Sequence, residues 1–275
     1  MLIIQACGAK KEPEKPAPKI LKLKVATYNL NYFTGGYAGI RDTISAMKPD
    51  IIALQEVLLS QGTDYSKKLA KDLGYHHASS TPYVGFDNIK WITAFLSAYP
   101  IKKTDQTKLG YSRNALRISV DLEGTALTLV TMHLTPFIWA DSNLLQANKN
   151  MSKLRQREIA DLMKWTGKME PPAIFLGDFN SLPFMGELTP IMSLGYRDVY
   201  TEVENGIEGT FMIQKSVRAV INRALPGYSI PENIKLDYIL ISDAIKAVKV
   251  EVPESKASDH RPLSAEIIIE RPDKK

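Results

Sequence analysis

One stretch decides how the rest of the chain is interpreted: Ala173-Ile-Phe-Leu-Gly-Asp-Phe-Asn-Ser-Leu-Pro183. Its apolar residues favour a short strand, which stops at Gly177 just before two polar side chains, Asp178 and Asn180. Residues two apart on an extended backbone point to the same side. The end of this strand therefore presents a carboxylate beside a carboxamide. Such a pair is costly to bury in a core and useful in an active site.

Polar residues also follow other predicted strands. Alternating or continuous apolar runs predict strands at residues 20–28, 51–54, 92–97, 114–122, 126–132, 236–241, 247–252 and 264–269. Five polar residues stand at or beyond the ends of such runs: Asn29, Glu56, His133, Asp259 and His260. Asp237 lies inside an apolar run, where a carboxylate needs a partner. Each alone could cap a turn or lie at the surface. Jointly they form an oxygen-rich, thiol-free set of the kind that Mg²⁺ or Mn²⁺ prefers.

The remaining pattern indicates one domain. Helical spacing of apolar residues predicts helices at residues 39–47, 63–73, 142–165 and 186–194. Residues 195–235 are rich in glycine and proline and are predicted to be mostly loop. Neither an internal repeat nor a second linker is visible, so we predict a short N-terminal segment at residues 1–19 and a single domain at residues 20–275.

Composition narrows the functional classes. The chain has 275 residues, of which 44% are apolar and 24% charged, and this excludes a fibre, a disordered chain or a membrane bundle. Its net charge of +5 is concentrated at the start, where residues 1–24 carry six lysines against two glutamates. The remainder has 29 basic and 28 acidic residues and so no overall electrostatic preference for nucleic acid, although a local basic groove remains allowed.

The N-terminal segment suggests export. Residues 2–8 are apolar and then small around Cys7, and residues 10–19 form a Lys- and Pro-rich tether. This order resembles the end of a bacterial lipoprotein signal, although the apolar part is short and no positive charge precedes it. We therefore expect an exported protein, anchored to a membrane through lipidated Cys7. The alternative is a frayed terminus of a cytoplasmic protein, with a chance cysteine.

Seven short motifs resemble those of the endonuclease/exonuclease/phosphatase superfamily, in the same order and over nearly the whole chain after the tether. They are Thr27-Tyr-Asn29, Leu54-Gln-Glu-Val57, Leu96-Ser with Tyr99-Pro-Ile101, Thr131-Met-His-Leu134, Gly177-Asp-Phe-Asn180, Leu236-Asp-Tyr-Ile239 and Ser258-Asp-His260. The resemblance implies an α/β (α+β) fold, a four-layer α/β/β/α sandwich of two packed mixed sheets flanked by helices. It also implies a divalent-metal-dependent hydrolase of phosphoester bonds, with Mg²⁺ or Mn²⁺ as the cofactor.

The resemblance further implies how a metal and a water would be held. Glu56 would be the principal metal ligand, assisted by Asp259 and by Asn29. Asp178 would orient and deprotonate the attacking water, and Asn180 would hold that water and contact phosphate.

Phosphate would be contacted by the remaining motif residues. His260 and His133 would donate to the phosphoryl oxygens, and Asp237 would orient the His260 ring and favour its charged form. Arg113, just before a predicted strand, is a further candidate for a phosphate contact, with an exposed surface arginine as the alternative. Asn31 stands where many nucleases of the superfamily carry an acid, which leaves a second metal contact open.

Three functions remain open at this point. The motifs favour a phosphodiesterase or nuclease. We expect such an enzyme to be a monomer with DNA or RNA as its partner. The predicted tether favours a phosphatase or a sphingomyelinase-like lipid phosphodiesterase, but the only short apolar insertion, Phe137-Ile-Trp139, could equally be core. An inactive binding protein of the same fold would lack a catalytic residue, and none is missing. The loops that would select the substrate, residues 79–91, 134–145 and 199–235, carry no readable motif.

Overall fold

The computed structural model describes residues 20–60, 62–84, 90–139, 143–203, 209–224, 227 and 230–270. Cys7 and the predicted tether lie outside the described residues, as do parts of the three loops named above. The described strands are β1 (Ile20–Asn29), β2 (Ile51–Ser60), β3 (Thr63–Asp64), β4 (His76–Ser79), β5 (Tyr83–Val84), β6 (Lys90–Ser97), β7 (Ile101–Leu109), β8 (Arg113–Leu122), β9 (Thr125–His133), β10 (Ala173–Asp178), β11 (Arg197–Asp198), β12 (Phe211–Met212), β13 (Asn233–Ile234), β14 (Asp237–Ile241), β15 (Ile245–Glu251) and β16 (Leu263–Glu270). The described helices are α1 (Tyr37–Met47), α2 (Tyr65–Leu73), α3 (Leu144–Thr166), α4 (Thr189–Met192), α5 (Val199–Glu202) and α6 (Lys215–Ala224), with a 3₁₀ turn at Asn31–Phe33.

Two mixed sheets form the centre of the described structure. The first has the order β15-β16-β1-β2-β6-β4, with β3 paired to β2 and β5 to β6. The second has the order β11-β14-β10-β9-β8-β7, and β12 with β13 forms a separate ribbon. β1 pairs with β2 in parallel, as β9 does with β10. The neighbouring pairs β1 with β16 and β10 with β14 are antiparallel, which makes both sheets mixed.

Three apolar cores separate four layers. The central core lies between the sheets and buries side chains such as Val25, Phe95, Ile118, Leu129 and Leu176. A second core packs α1 and α2 against the first sheet, and a third packs α3 and α4 against the second. The predicted four-layer α/β/β/α sandwich is therefore confirmed.

Strand register brings the predicted site residues to one edge of the sandwich. Asn29 pairs with Gln55 at the end of β1, and His133 pairs with Asp178 at the ends of β9 and β10. β14 runs antiparallel to β10, so its first residue, Asp237, lies opposite Asp178. The Asn29 side chain donates to the Asp178 carboxylate at 2.9 Å and joins the two sheets at this edge.

Several predicted bounds are wrong, each for a local reason. The predicted strand at residues 51–54 continues as β2 to Ser60. Only Thr189–Met192 of the predicted helix 186–194 is helical. The predicted helix 63–73 begins later, because the Asp64 carboxylate accepts hydrogen bonds from the backbone N–H groups of Ser66 and Lys67 and so caps α2.

Among the longer elements, β7 and α6 escaped prediction. β7 is exposed along most of its length and therefore lacks the apolar alternation of a half-buried strand. α6 lies within residues 195–235, whose glycines and prolines favoured loop. No helix among the described residues is long and apolar enough to cross a membrane.

Candidate active site

A cavity of about 320 Å³ opens where the strand ends meet. Six predicted site residues line it: Glu56, His133, Asp178, Asn180, Asp259 and His260. Asn29 and Asp237 lie behind this lining, the first hydrogen-bonded to Asp178 and the second to His260. A larger groove of about 710 Å³, beside Arg117 and Lys168, contains none of these residues. The fold thus gathers residues from six of the seven sequence motifs at the smaller cavity, and the motif at residues 96–101 contributes none of them.

Glu56 reaches the cavity from a bulge, not from a strand end as the sequence suggested. The register of β2 against β6 shifts between residues 54 and 57, and Glu56 has a φ of 51°. The preceding Gln55 is fully buried, where it accepts a hydrogen bond from Thr27 at 3.1 Å and donates one to Thr131 at 3.0 Å. Gln55 therefore links the two sheets, and the bulge leaves the Glu56 side chain 15% exposed.

Asp178 is the centre of the polar network. Its carboxylate accepts hydrogen bonds at 2.9 Å from the Asn29 side chain and from the backbone N–H of Asn180. Asn180 in turn donates its side-chain amide to the Leu134 carbonyl at 3.1 Å. Burial, and after it the charge of Asp237, raises the pKa of Asp178 to about 7. Asp178 can therefore accept a proton near neutral pH, as a general base must.

His260 is positively charged at neutral pH. Its Nδ1 lies 2.8 Å from the Asp237 carboxylate, and its Nε2 lies 3.7 Å from that of Asp178. Burial works to lower the pKa of His260, but the charges of Asp237 and Asp178 outweigh burial and raise it to about 10. With Nδ1 hydrogen-bonded to Asp237, Nε2 remains as a charged donor in the cavity.

His133 is a neutral donor. Burial first, and then the charges of Arg113 and His260, hold the pKa of His133 well below its usual range. Its Nδ1 lies 3.4 Å from the Tyr83 hydroxyl and 3.5 Å from Nη1 of Arg113. A guanidinium can only donate, so Nδ1 is the acceptor and Nε2 carries the proton. That proton lies between the carboxylates of Asp178 and Glu56, 3.5 and 3.6 Å from Nε2.

Arg113 is buried, which excludes the exposed surface arginine considered from the sequence. It is 5% exposed, and its guanidinium lies 5.6 Å from the ring centroid of Trp91 and 5.8 Å from that of Tyr83. Its Nε has no hydrogen-bond partner among the described residues. A buried guanidinium with an unsatisfied Nε–H next to His133 places positive charge beside the cavity and so favours an anion there.

The charges around the cavity fit a divalent cation. Within the described part of the chain they comprise four carboxylates and two cations: Glu56, Asp178, Asp237, Asp259, Arg113 and His260. Burial raises the pKa of Glu56 to about 7, with the charge of Asp259 adding to the effect. A site in which acids must hold protons is one that a bound cation would stabilise. Glu56 and Asp259 are half-buried and accessible from the cavity, so these two would hold it.

The described group of three possible metal ligands whose atoms lie close together does not include Glu56 or Asp259. One atom each from Asp178, Asp237 and His260 lies within 4.8 Å of the others. The His260 ring is protonated and bonded to Asp237 at 2.8 Å, so it has no lone pair to offer a metal. This group is therefore a charged cluster in which His260 is hydrogen-bonded to Asp237 and lies 3.7 Å from Asp178, and the residues that could hold a metal are Glu56 and Asp259.

Sequence reasoning missed the aromatic side chains around the cavity. Tyr32 and Trp91 meet edge to face, with ring centroids 4.5 Å apart. Trp139 and Phe211 stack with their planes 9° apart and their centroids 5.8 Å apart. Trp139 and Phe137 both line the cavity, Trp139 half-buried and Phe137 buried. These rings come from distant segments, so no short-range pattern links them; Phe137-Ile-Trp139 was the one visible signal.

Comparisons with known proteins agree with this fold. A family model described as Endonuclease/Exonuclease/phosphatase family matches residues 26–260. An endonuclease/exonuclease/phosphatase from Beutenbergia cavernae is 17% identical with a TM-score of 0.71, over 90% of this chain and 72% of that one. D. rerio TDP2 complexed with single strand DNA product is 16% identical with a TM-score of 0.64, over 90% and 98%. A mannosyl-6-phosphatase from Bacteroides thetaiotaomicron is 18% identical with a TM-score of 0.62, over 89% and 99%. A comparison with curated proteins found no match.

Proposed function

Because the chain belongs to the endonuclease/exonuclease/phosphatase family, we propose that it is a divalent-metal-dependent hydrolase of phosphodiester bonds. The observation that carries the proposal is the meeting of three complementary groups at one cavity. Asp178 is a carboxylate with its pKa raised to about 7, His260 is a cationic donor, and His133 is a neutral donor. Attack of water on an anionic phosphoester needs a base and donors of this kind.

Each residue takes one role in the proposed reaction. Asp178 orients the water and accepts its proton while the water oxygen forms a bond to phosphorus and the bond to the leaving oxygen breaks. The side chains of Asn29 and Asn180 keep Asp178 and the water in place. His260 and His133 donate to the phosphoryl oxygens, where charge increases in the transition state.

The metal would be held by Glu56 and Asp259, with Asn29 assisting. When bound, it supplies positive charge that offsets the charge of the phosphate. Arg113 would add a second positive charge from behind His133. Mg²⁺ is the ion expected for an all-oxygen set of this kind, and Mn²⁺ would substitute for it.

A phosphodiester is favoured over a polyphosphate by the lining of the cavity. None of the described residues that line it is a lysine or arginine, so the side chains offer positive charge for one phosphate group only, from His260 and the nearby Arg113. The structure of D. rerio TDP2, which holds a single strand DNA product, has the same fold and supports a nucleic-acid diester as the class to test first.

Two other substrates have specific support. The similar mannosyl-6-phosphatase favours testing phosphomonoesters. The apolar side chains of Pro136, Met212 and Val217, which line the cavity, favour testing a lipid phosphodiester such as sphingomyelin. A catalytically inactive binding protein would turn over none of these substrates.

The deciding assay follows hydrolysis of bis-p-nitrophenyl phosphate, plasmid DNA, inositol phosphates and sphingomyelin by the purified full chain. We expect Mg²⁺- or Mn²⁺-dependent turnover of the diesters, loss of activity with EDTA, and recovery when metal is restored. Asp178→Asn should abolish turnover, whereas the control Asp42→Asn, on the exposed surface of α1, should not. Chelator-resistant turnover, or near-normal activity of Asp178→Asn, would contradict the proposal.

We also propose that the protein is exported and anchored through Cys7, which lies outside the described residues. The support is the order of residues 2–19 alone. Incorporation of a labelled fatty acid by the wild type and not by Cys7→Ser would verify the anchor, and equal labelling of the two would refute it.

A further inference from the structure

One side of the cavity has an aromatic face formed by the adjacent rings of Trp139, Phe211 and His260. The rings of Trp139 and Phe211 are nearly parallel, 9° apart, with centroids separated by 5.8 Å. The Phe211 ring lies 4.9 Å from that of His260, and an isolated bridge pairs the backbones of these two residues. Phe211 therefore lies between Trp139 and the donor that would contact the phosphate.

We propose that this face binds a planar aromatic ring carried by the phosphoester substrate, with a nucleobase as the preferred ring. The inference rests on the proposed function and names the substrate class within it. A ring joined to the phosphate through a short linker could stack on the face while its phosphate contacts His260. Stacking of a base on an aromatic side chain tolerates any base, because every base has a flat π surface.

The face is held in place before any substrate binds. The backbone N–H and carbonyl of Ile138 form hydrogen bonds of 2.9 and 2.7 Å with the Asn148 side chain on α3. Phe137, 5.3 Å from the Trp139 ring, is covered by the Arg155 guanidinium at 4.4 Å. Arg155 itself is fully buried and paired with Glu187 at 3.0 Å. A surface fixed in this way loses little conformational entropy when a flat ligand binds.

Polar groups around the face favour a nucleobase over an acyl chain. The side chains of Asn31, Asn180 and Gln214 line the same cavity. Amides offer both donors and acceptors, which the edge of a base can use and a hydrocarbon chain cannot. An acyl chain placed here would leave amides without water or partners, at a cost in free energy.

The test compares two dinucleotides, thymidylyl-thymidine and the same molecule with both bases replaced by hydrogen, on the full chain with Mg²⁺. In Trp139→Ala, we expect the ratio of kcat/KM for the two dinucleotides to fall about tenfold, the size expected for one stacked base. Trp139→Phe should keep most of the ratio, because it keeps a ring. Phe184→Ala, which removes a ring that is 82% exposed and outside the cavity lining, is the matched control and should leave the ratio unchanged.

The outcomes separate this inference from the proposed function. An unchanged ratio in Trp139→Ala together with unchanged turnover of bis-p-nitrophenyl phosphate, or a loss confined to sphingomyelin vesicles, would overturn the aromatic subsite. A loss confined to bis-p-nitrophenyl phosphate would support the subsite and assign it to phenol esters. If the wild type hydrolyses nothing, the proposed function fails, and calorimetric binding decides the subsite. The wild type should then bind thymidine 5′-monophosphate more tightly than deoxyribose 5-phosphate, and Trp139→Ala should bind the two with equal affinity. Equal affinity of the wild type for the two ligands would overturn the aromatic subsite.

Discussion

Each side of the cavity contains a histidine, and the two histidines are buried to nearly the same extent, yet one is charged and the other is neutral. His260 is 5% exposed and His133 is 2% exposed. On the His260 side, Asp237 and Asp178 raise the histidine pKa to about 10 despite burial. On the His133 side, Arg113 adds to burial, and the pKa falls well below its usual range. Burial alone would keep both rings neutral, so the difference between their charge states comes from the neighbouring charges.

This difference lets two histidines act on one phosphate without adding two charges. A second imidazolium, at His133, would lie close to the guanidinium of Arg113, and like charges at this distance repel. A neutral His133 still donates through Nε2 because Arg113 and Tyr83 occupy the Nδ1 side. The cavity thus combines one charged donor with one neutral donor, and variants of either side should behave differently.

The largest effect is expected from removing the charged donor. His260→Ala should lower kcat by about 100- to 1000-fold, the usual cost of losing a donor to developing charge. Thermal unfolding should show that the variant still folds, and His76→Ala, an exposed histidine on β4, serves as the control. An activity within a few-fold of the wild type would show that His260 is not the charged donor.

The next effect comes from the partner that charges His260. Asp237→Asn should lower activity by about tenfold to a hundredfold, as for other residues that orient a catalytic group. It should also move the alkaline loss of activity, which in the wild type follows the His260 pKa of about 10, to lower pH. NMR titration of the metal-free protein would measure this pKa directly. Asp42→Asn is the control, and an unshifted His260 pKa would contradict the pairing.

The same pair makes a prediction about stability. The pKa of His260 is raised from 6.5 to about 10 on folding, so the folded state binds the proton more tightly. The resulting stabilisation is fully present below pH 6.5 and is lost as the pH rises through about 10. The gap in melting temperature between wild type and Asp237→Asn, measured without metal, should therefore close as the pH approaches 10. A constant gap would show that the pair stabilises by packing alone.

The sequence was informative wherever a strand stops at a polar residue. Asn29, His133 and Asp178 were found this way, because parallel strand pairs bring such ends to one edge of a sheet. Gly177 belongs to the same signal, since a Cβ at this position would overlap the Met132 carbonyl oxygen. Glu56 was misplaced because Gln55, a polar residue, was read as the end of a strand, whereas it is buried between Thr27 and Thr131.

The features that the sequence did not indicate depend on contacts between distant segments. The burial of Arg113 requires Tyr83 and Trp91 from other strands, so its residue type alone favoured an exposed surface position over a site. The stacking of Trp139 on Phe211 joins residues 72 positions apart. The charge states of the two histidines also depend on residues distant in the sequence, Asp237 and Asp178 for His260 and Arg113 for His133. Tertiary structure therefore determines the burial and charge state of residues that could already be identified in the sequence.

A smaller effect is expected from the cation on the neutral side. Arg113→Gln removes a charged donor and should lower kcat/KM about tenfold, within the range for a hydrogen bond to a charged group. It should also let the pKa of His133 rise toward its usual range, because Arg113 is the second cause of its depression after burial. NMR would follow the His133 ring, with Arg157→Gln on the exposed face of α3 as the control. An unmoved His133 pKa would mean that burial alone keeps this ring neutral.

The smallest effect should come from Tyr83, whose hydroxyl lies 3.4 Å from Nδ1 of His133. Tyr83→Phe keeps the ring beside Arg113 and removes one long hydrogen bond, so activity should fall only about two- to fivefold. Arg113 still donates to Nδ1 in this variant, which keeps the proton on Nε2 and the ring neutral. Tyr111→Phe, at a 93% exposed tyrosine, is the control. A loss as large as that of His260→Ala would mean that Tyr83, and not Arg113, sets the His133 tautomer, and the neutral side would then depend on a hydroxyl instead of a charge.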